Sequence, residues 1–270
     1  MYLKKSKRTK KKSMTTKEFR IKEFDLNLIN PNAMNYDKPS QGGSKVVVIG
    51  KPGSGKSTLI SQLMYEKRNE IPSAYVVSGT EDSSGFYGKI VPSTFVHNKF
   101  DEQSVEKFIT RQKIAKKHLK NPFSFLLFDD CCDDVRIFNR PIFHNLFKNG
   151  RHYCCLFVLS LQYALDIKPA IRTNIDTTFI LRESNLRNRR SLHENFAGVI
   201  PNFSDFCTLM DEVTQDYTAL VIHNATTSND LEDCVFYYKA PIPPDDWKFG
   251  SPDFWKFHYN RYNNKYEESF

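Results

Sequence analysis

A chain of 270 residues with 40% hydrophobic and 14% aromatic residues can bury one substantial core or two small ones. Its formal net charge is +8, but ten Lys or Arg and one acid fall in residues 1–22, so that stretch carries +9 and the other 248 residues sum to −1. The body is near neutral, the basic excess is a tail, and the longest apolar runs, Phe123 to Phe128 and Cys154 to Ser160, are far below the ~20 residues that span a bilayer. No transmembrane segment is expected.

The tail, residues 1–22, has no apolar segment behind its charges, so it reads as neither a secretory signal nor an anchor, and disorder is expected. Its lysines suit a nuclear address or a nonspecific arm on phosphates; a solvating tail without a partner is the competing reading. Residues 23–44, rich in Asn, Pro and Gly, predict an irregular lead-in. From Lys45 to Ala240 short β-branched and aromatic runs alternate with helical spacing. Strands are predicted at Val46 to Ile49, Ala74 to Ser78, Phe123 to Phe128, Cys154 to Leu161, Thr178 to Leu181, Ala219 to His223 and Cys234 to Tyr238. Helices are predicted at Lys56 to Lys67, Asp101 to Leu119, Pro141 to Lys148, Asn185 to Phe196 and Ser204 to Glu212. Strands that are apolar on nearly every residue and alternate with helices imply an α/β fold with a mainly parallel sheet covered on both faces. In Asp101 to Leu119, Val105, Phe108, Ile109 and Gln112 lie on the inward side, and Arg111, Lys113, Lys116 and Lys117 read as a solvated face in preference to a DNA contact. Pro241 to Phe270, with four Pro and both Trp, is expected to wrap the core as irregular structure.

The six cysteines form the adjacent pairs Cys131-Cys132 and Cys154-Cys155 plus Cys207 and Cys234, without C-x-x-C spacing or His at ligand spacing. They read as small core or strand-end residues in a reducing compartment rather than as a zinc site or a disulfide framework.

Gly50-Lys51-Pro52-Gly53-Ser54-Gly55-Lys56-Ser57 fits G-x-x-x-x-G-K-[ST], directly after an apolar strand and directly before a helix. Such a loop turns successive N–H groups onto phosphate, with the helix N-terminus adding its dipole. Lys56 then reaches the β- and γ-phosphates, Ser57 offers a hydroxyl to Mg²⁺, and Thr58 lies on the α-phosphate side. A second apolar run ends in Asp129 and Asp130. Asp129 is the expected metal partner, and Asp130 is placed to polarise the attacking water unless it is only a loop or cap residue. Asp133 and Asp134 read as caps. The run Cys154 to Leu161 ends in Gln162, an amide able to sense the γ-phosphate or orient water, with an ordinary strand-end Gln as the competing reading.

Asp82-Ser83-Ser84-Gly85 and Asn98-Lys99-Phe100-Asp101 match GTPase patterns, but 16 residues between Asp82 and Asn98 cannot hold the helices and strands that separate those motifs. Guanine specificity is not supported.

The order of the phosphate loop, Leu126-Leu127-Phe128-Asp129-Asp130, Asn149-Gly150-Arg151-His152, Leu159-Ser160-Leu161-Gln162 and Ile171-x-x-Asn174 resembles the FtsK/HerA superfamily of P-loop NTPases. Within it, the chain looks most like the genome-packaging ATPases of large nucleocytoplasmic DNA viruses of poxvirus type. The resemblance covers about Lys45 to Leu181, with weaker agreement to about His223, and implies a RecA/FtsK-like sheet and an ATP- and Mg²⁺-dependent motor. It also implies a homo-oligomeric ring, commonly a hexamer, that moves double-stranded DNA into a capsid. Arg151, on the family's Gly-Arg step, becomes a candidate trans-acting arginine finger, with Arg172 second. Capsid or virion membrane proteins are implied as partners, and the host cytoplasm, at virus factories, and the virion as locations; the tail leaves nuclear entry open. A P-loop nucleotide or small-molecule kinase, with Arg187, Arg189 and Arg190 as its lid cluster, and a non-hydrolysing nucleotide-binding scaffold are the competing functions.

Overall fold

The computed structural model describes residues 20–131, 135–163 and 167–262. Its strands are Lys22–Glu23 (β1), Lys45–Ile49 (β2), Ser73–Ser78 (β3), Val96–His97 (β4), Ser124–Asp129 (β5), Cys155–Leu161 (β6), Thr177–Ile180 (β7), Thr218–His223 (β8) and Val235–Lys239 (β9). All belong to one sheet in the order β1-β9-β8-β7-β2-β6-β5-β3-β4. The helices are Lys56–Lys67 (α1), Glu81–Ser84 (α2), Tyr87–Ile90 (α3), Glu102–His118 (α4), Pro141–Asn149 (α5), Pro169–Arg172 (α6), Leu186–Phe196 (α7), Phe203–Val213 (α8), Leu231–Cys234 (α9) and Pro252–Arg261 (α10).

Period-two alternation sorts every central strand between two cores. Val47 and Ile49 of β2, Leu126 and Phe128 of β5, and Phe157 and Leu159 of β6 face the core covered by α4, α5, α7 and α8. Val46 and Val48, Phe125 and Leu127, and Leu156 and Val158 face the core covered by α1. With both faces buried, these strands read as unbroken apolar runs, and this is why the sequence exposed them.

The predicted strands and the five predicted helices all appear within one or two residues of their expected ends. The sheet is parallel throughout its centre, but β8 runs antiparallel to both β7 and β9. An antiparallel strand buried on both faces carries the same apolar run as a parallel one, so the sequence cannot announce its direction. Edge strands β1 and β4 have two residues each, too few to show a period. The last residue assigned to the tail and the first of the lead-in are tied into the sheet, with Lys22 beside Phe236 and Glu23 beside Tyr237.

The C-terminal stretch corrects the expectation of irregular structure: α10 starts at Pro252 with Ser251 as its cap, and Phe249 and Phe254 enter the α1-side core, to which Phe24 and Ile29 also belong. Arg111 also departs from the solvated face assigned to it. It is partly buried, its guanidinium lying 5.1 Å from the Phe108 ring centre and 5.4 Å from that of Phe95. The bulk of the basic tail, residues 1–19, and Cys132, Asp133, Asp134 and residues 263–270 lie outside the described residues. Among the described residues, Cys154, Cys155 and Cys234 are buried free thiols, and no helix is long and apolar enough to cross a membrane.

Candidate nucleotide site

The C-terminal ends of β2, β5 and β6 meet at the centre of the sheet, where an open parallel sheet gathers its ligand-binding loops. β2 delivers the chain into the loop from Gly50 to Ser57: Gly50 N–H donates to the Leu161 carbonyl of β6 (3.0 Å) and Ser54 N–H to the Lys51 carbonyl (3.1 Å). Gly53 (φ 75°) and Gly55 (φ 101°) occupy the left-handed region that side chains rarely adopt, and α1 then begins at Lys56. Pro52, Gly53 and Ser57 are exposed at the mouth of this loop, with Ser54, Gly55 and Thr58 half-buried.

Lys56 is buried, yet its ammonium donates to the Gly50 carbonyl at 2.7 Å and pairs with Asp130 Oδ2 at 3.1 Å. These oxygens hold the charge beside the loop's N–H groups, where phosphate oxygens are received. Asp130 is presented by a left-handed backbone (φ 42°), and Gly79, at the end of β3, makes room for it. A Cβ on Gly79 would lie 2.2 Å from the Asp130 carbonyl oxygen.

Asp129, one residue earlier, is only 5% exposed, and Tyr87 Oη donates to its Oδ2 at 2.7 Å. Burial pushes its carboxyl above the usual carboxylate range, against hydrogen bonds from Tyr87 and Ser160 that favour the ionised form. The Tyr87 phenol is itself pushed well up by burial and by the adjacent Asp129. A buried carboxylate hydrogen-bonded by neutral hydroxyls, together with the exposed Ser57 hydroxyl in the first turn of α1, is a hard-oxygen donor set that fits Mg²⁺. That ion takes one or two carboxylates and completes its shell with phosphate and water. Sequence reasoning missed Gly79 and Tyr87; neither stands at a motif spacing, and only the fold brings them to the acidic strand end.

Gln162 follows β6, which lies between β2 and β5, and it is exposed at the mouth of a cleft of about 230 Å³. Gly50, Lys51, Tyr163, Arg182 and Glu183 share that cleft. Glu183 is a further residue that the sequence did not single out. Its Oε1 pairs with Lys51 Nζ at 2.6 Å, bracing the first turn of the phosphate loop against β7. Burial opposes its ionisation, but hydrogen bonds from Lys51, the Asn185 N–H and Asn188 outweigh it and hold the carboxyl below its ordinary range.

The structure thus gathers Gly50 to Thr58, Asp129, Asp130 and Gln162 at one sheet edge. It does not bring Arg151 there. Arg151 lies in the turn before β6, at the opposite end of a seven-residue strand, roughly 20 Å away at ~3.3 Å per residue. Its guanidinium pairs with Asp176, which also takes Lys45 Nζ at 3.3 Å. Arg172 donates to the Ile167 carbonyl at 2.7 Å. The supposed kinase-lid cluster divides as well. Arg189 is buried and bonded to the Glu183 carbonyl and Asp211, Arg190 stacks over Phe203, and only Arg187 lines the cleft beside the phosphate loop. Asp82 and Asn98, the GTPase look-alikes, are hydrogen-bonded to each other.

The chain is 53% identical over 234 residues to the uncharacterized protein 088R of Invertebrate iridescent virus 3, covering 86% of this chain and 90% of that one. It belongs to that viral family. No protein-family profile matches the chain. The family's fold is shared with the genome packaging NTPase B204 of Sulfolobus turreted icosahedral virus 2 bound to AMPPCP, at a TM-score of 0.54 and 17% identity over 76% of this chain and 100% of B204. It is shared too with the pCW3 conjugation coupling protein TcpA, at a TM-score of 0.57 and 13% identity over 79% of this chain and 65% of TcpA. These likenesses bear on the fold alone, a mainly parallel sheet flanked by helices of the kind that the sequence motifs implied.

Proposed function

We propose that this chain is an ATPase that drives double-stranded DNA, packaging a viral genome into its capsid. The observation that carries the reading is the acidic end of β5. One carboxylate there is buried among hydroxyls and the next is paired with the phosphate-loop lysine, which supplies more than nucleotide binding alone requires. The solved protein B204, which shares the fold, is described as a genome packaging NTPase and was crystallised with an ATP analogue.

In this reading the N–H groups of Gly53 to Thr58 and the Lys56 ammonium hold the β- and γ-phosphates. Ser57 and Asp129 would hold Mg²⁺, which when bound supplies charge neutralisation to the phosphate oxygens. Asp130 releases Lys56 to the phosphate and accepts a proton from the attacking water, while Gln162 reads the γ-phosphate from the neighbouring strand end. A homo-oligomeric ring, a hexamer in the simplest case, puts each site at a subunit boundary, where Arg151 of an adjacent copy would act in trans. Its exposure, about half, leaves it available for that role. Capsid or virion membrane proteins are the proposed partners, and host cytoplasm at virus factories and the virion the proposed locations.

The steady-state ATPase rate of the full chain, with and without linear double-stranded DNA at low and moderate salt, tests this. Stimulation by DNA that weakens as salt rises is expected, because nonspecific phosphate contacts are salt-sensitive. DNA-independent turnover with a phosphorylated small product would favour the kinase, and nucleotide binding without turnover the scaffold.

A further inference from the structure

A triphosphate laid along the loop has a direction. Its γ end lies toward Gly50, Asp130 and Gln162, and its α end toward Ser57 and Thr58, so the nucleoside must leave on the Thr58 side. On that side a cleft of about 630 Å³ runs between the first turns of α1, at Ser57, Thr58 and Ser61, and the segment from Ile242 to Trp247. This volume is within the range of nucleotide-sized pockets, roughly 300 to 1,000 Å³. Its far wall combines the apolar Ile242, Pro243, Pro244 and Trp247 with the carboxylates of Asp245 and Asp246; Ile242 is 86% exposed, and Trp247 is anchored edge-on to Tyr65 of α1 (5.4 Å between ring centres).

One largely exposed aromatic side chain, which is not part of the cleft lining, touches the phosphate loop two residues before Ser57. This is Tyr217, 70% exposed. A Cβ on Gly55 would lie 3.2 Å from Tyr217 Cδ1 and 3.3 Å from its Cβ. The chain reaches this position through two consecutive left-handed residues, Asp216 (φ 48°) and Tyr217 (φ 62°), a conformation that costs free energy in non-glycine residues. Sheet register links the two segments. Thr218 pairs with Lys239, so the strand that begins one residue after Tyr217 starts beside the point where the chain leaves β9 for the Ile242 to Trp247 segment.

We propose that Tyr217 is the base-stacking residue of the nucleotide site, and that the cleft between α1 and residues 242–247 receives the nucleoside. This rests on the nucleotide reading of the phosphate loop and adds which side of it, and which ring, holds the base. An edge contact with Gly55 leaves most of the ring free, and a base at the α-phosphate end can lie against it with its other face toward Ile242 and Pro243. Stacking is indifferent to base identity, so Tyr217 contributes affinity without choosing between purines.

The test compares two probes on the full chain by calorimetry: Mg²⁺-ATPγS, which has a base, and inorganic tripolyphosphate, which does not. Tyr217→Ala is expected to weaken ATPγS about tenfold, the scale of one lost base stack, and to leave tripolyphosphate unchanged. Tyr217→Trp should keep wild-type affinity for both, and Ile242→Ala, at an exposed position that cannot unfold the chain, should weaken ATPγS alone by about threefold. Unchanged ATPγS affinity in Tyr217→Ala overturns the proposal. So does an equal loss of both probes, which would mean that Tyr217 only shapes the loop. Should the wild type bind neither probe, or Lys56→Ala bind both as well as the wild type, the nucleotide reading itself fails and this inference with it.

Discussion

Asp129 and Asp130 are neighbours in sequence with opposite surroundings. Asp130 meets an ammonium at 3.1 Å, whereas Asp129 is enclosed and hydrogen-bonded by hydroxyls, and burial raises its carboxyl above the ordinary value. A raised folded value means that the native state binds more protons than the unfolded chain between the unfolded and folded pKa, so stability falls as pH rises through that window and stays lower above it. Asp129→Asn removes this cost and keeps an acceptor for Tyr87. The variant free of nucleotide should therefore melt higher than the wild type at pH 7, with the difference vanishing below the usual carboxylate range, and should lose the stabilisation that Mg²⁺ adds to bound ATPγS. Thermal melts from pH 3 to 7, with and without Mg²⁺-ATPγS, check both parts; a variant that melts lower at neutral pH would contradict the burial argument. The two carboxylates could be named from the end of an apolar run, but which is buried and which meets Lys56 depends on Gly79, 51 residues before Asp130, and Tyr87, 42 residues before Asp129.

Among elements, the α1-side layer is the one that the sequence understated. Helix α1 alone cannot cover that face of a nine-stranded sheet, and Phe24, Ile29, Phe249 and Phe254 from the two ends of the chain complete it. Phe249 is fully buried, with its ring centre 5.5 Å from that of Phe125 in β5. Phe249→Ala should cost about 3–5 kcal/mol, the usual scale for deleting a buried ring, and lower the denaturant midpoint of the whole chain in a single transition. A midpoint within experimental error of the wild type would show that the C-terminal segment is an appendage to an independently stable body. Its aromatic residues were visible in sequence, but Pro-rich spacing hid α10, which begins at the Pro of its own first turn.

At the scale of the molecule, the phosphate loop and Arg151 occupy opposite ends of the sheet, so no single chain brings them together. A ring in which one subunit's lower edge faces its neighbour's upper edge would. Mixing Arg151→Ala with Lys56→Ala subunits should then restore part of the ATPase activity that each lacks alone, because some boundaries pair an intact loop with an intact arginine. The Arg151 change is tolerable for folding, since Asp176 keeps Lys45 as a partner. Absence of any restoration would turn attention to Arg182 and Arg187, which line the cleft beside Gln162.

The sequence alone determined the layered α/β class, the phosphate loop and the acidic strand end, because each is written in adjacent residues: a period of two, a glycine-spaced turn, an apolar run closed by carboxylates. Tertiary structure alone decided the direction of β8, the closure of the α1-side core by both chain ends, the burial that separates Asp129 from Asp130, and the placing of Tyr217 against Gly55. Each of these joins residues tens to hundreds of positions apart, and pairwise contact across such distances is set by how elements pack in three dimensions, where local pattern carries no signal.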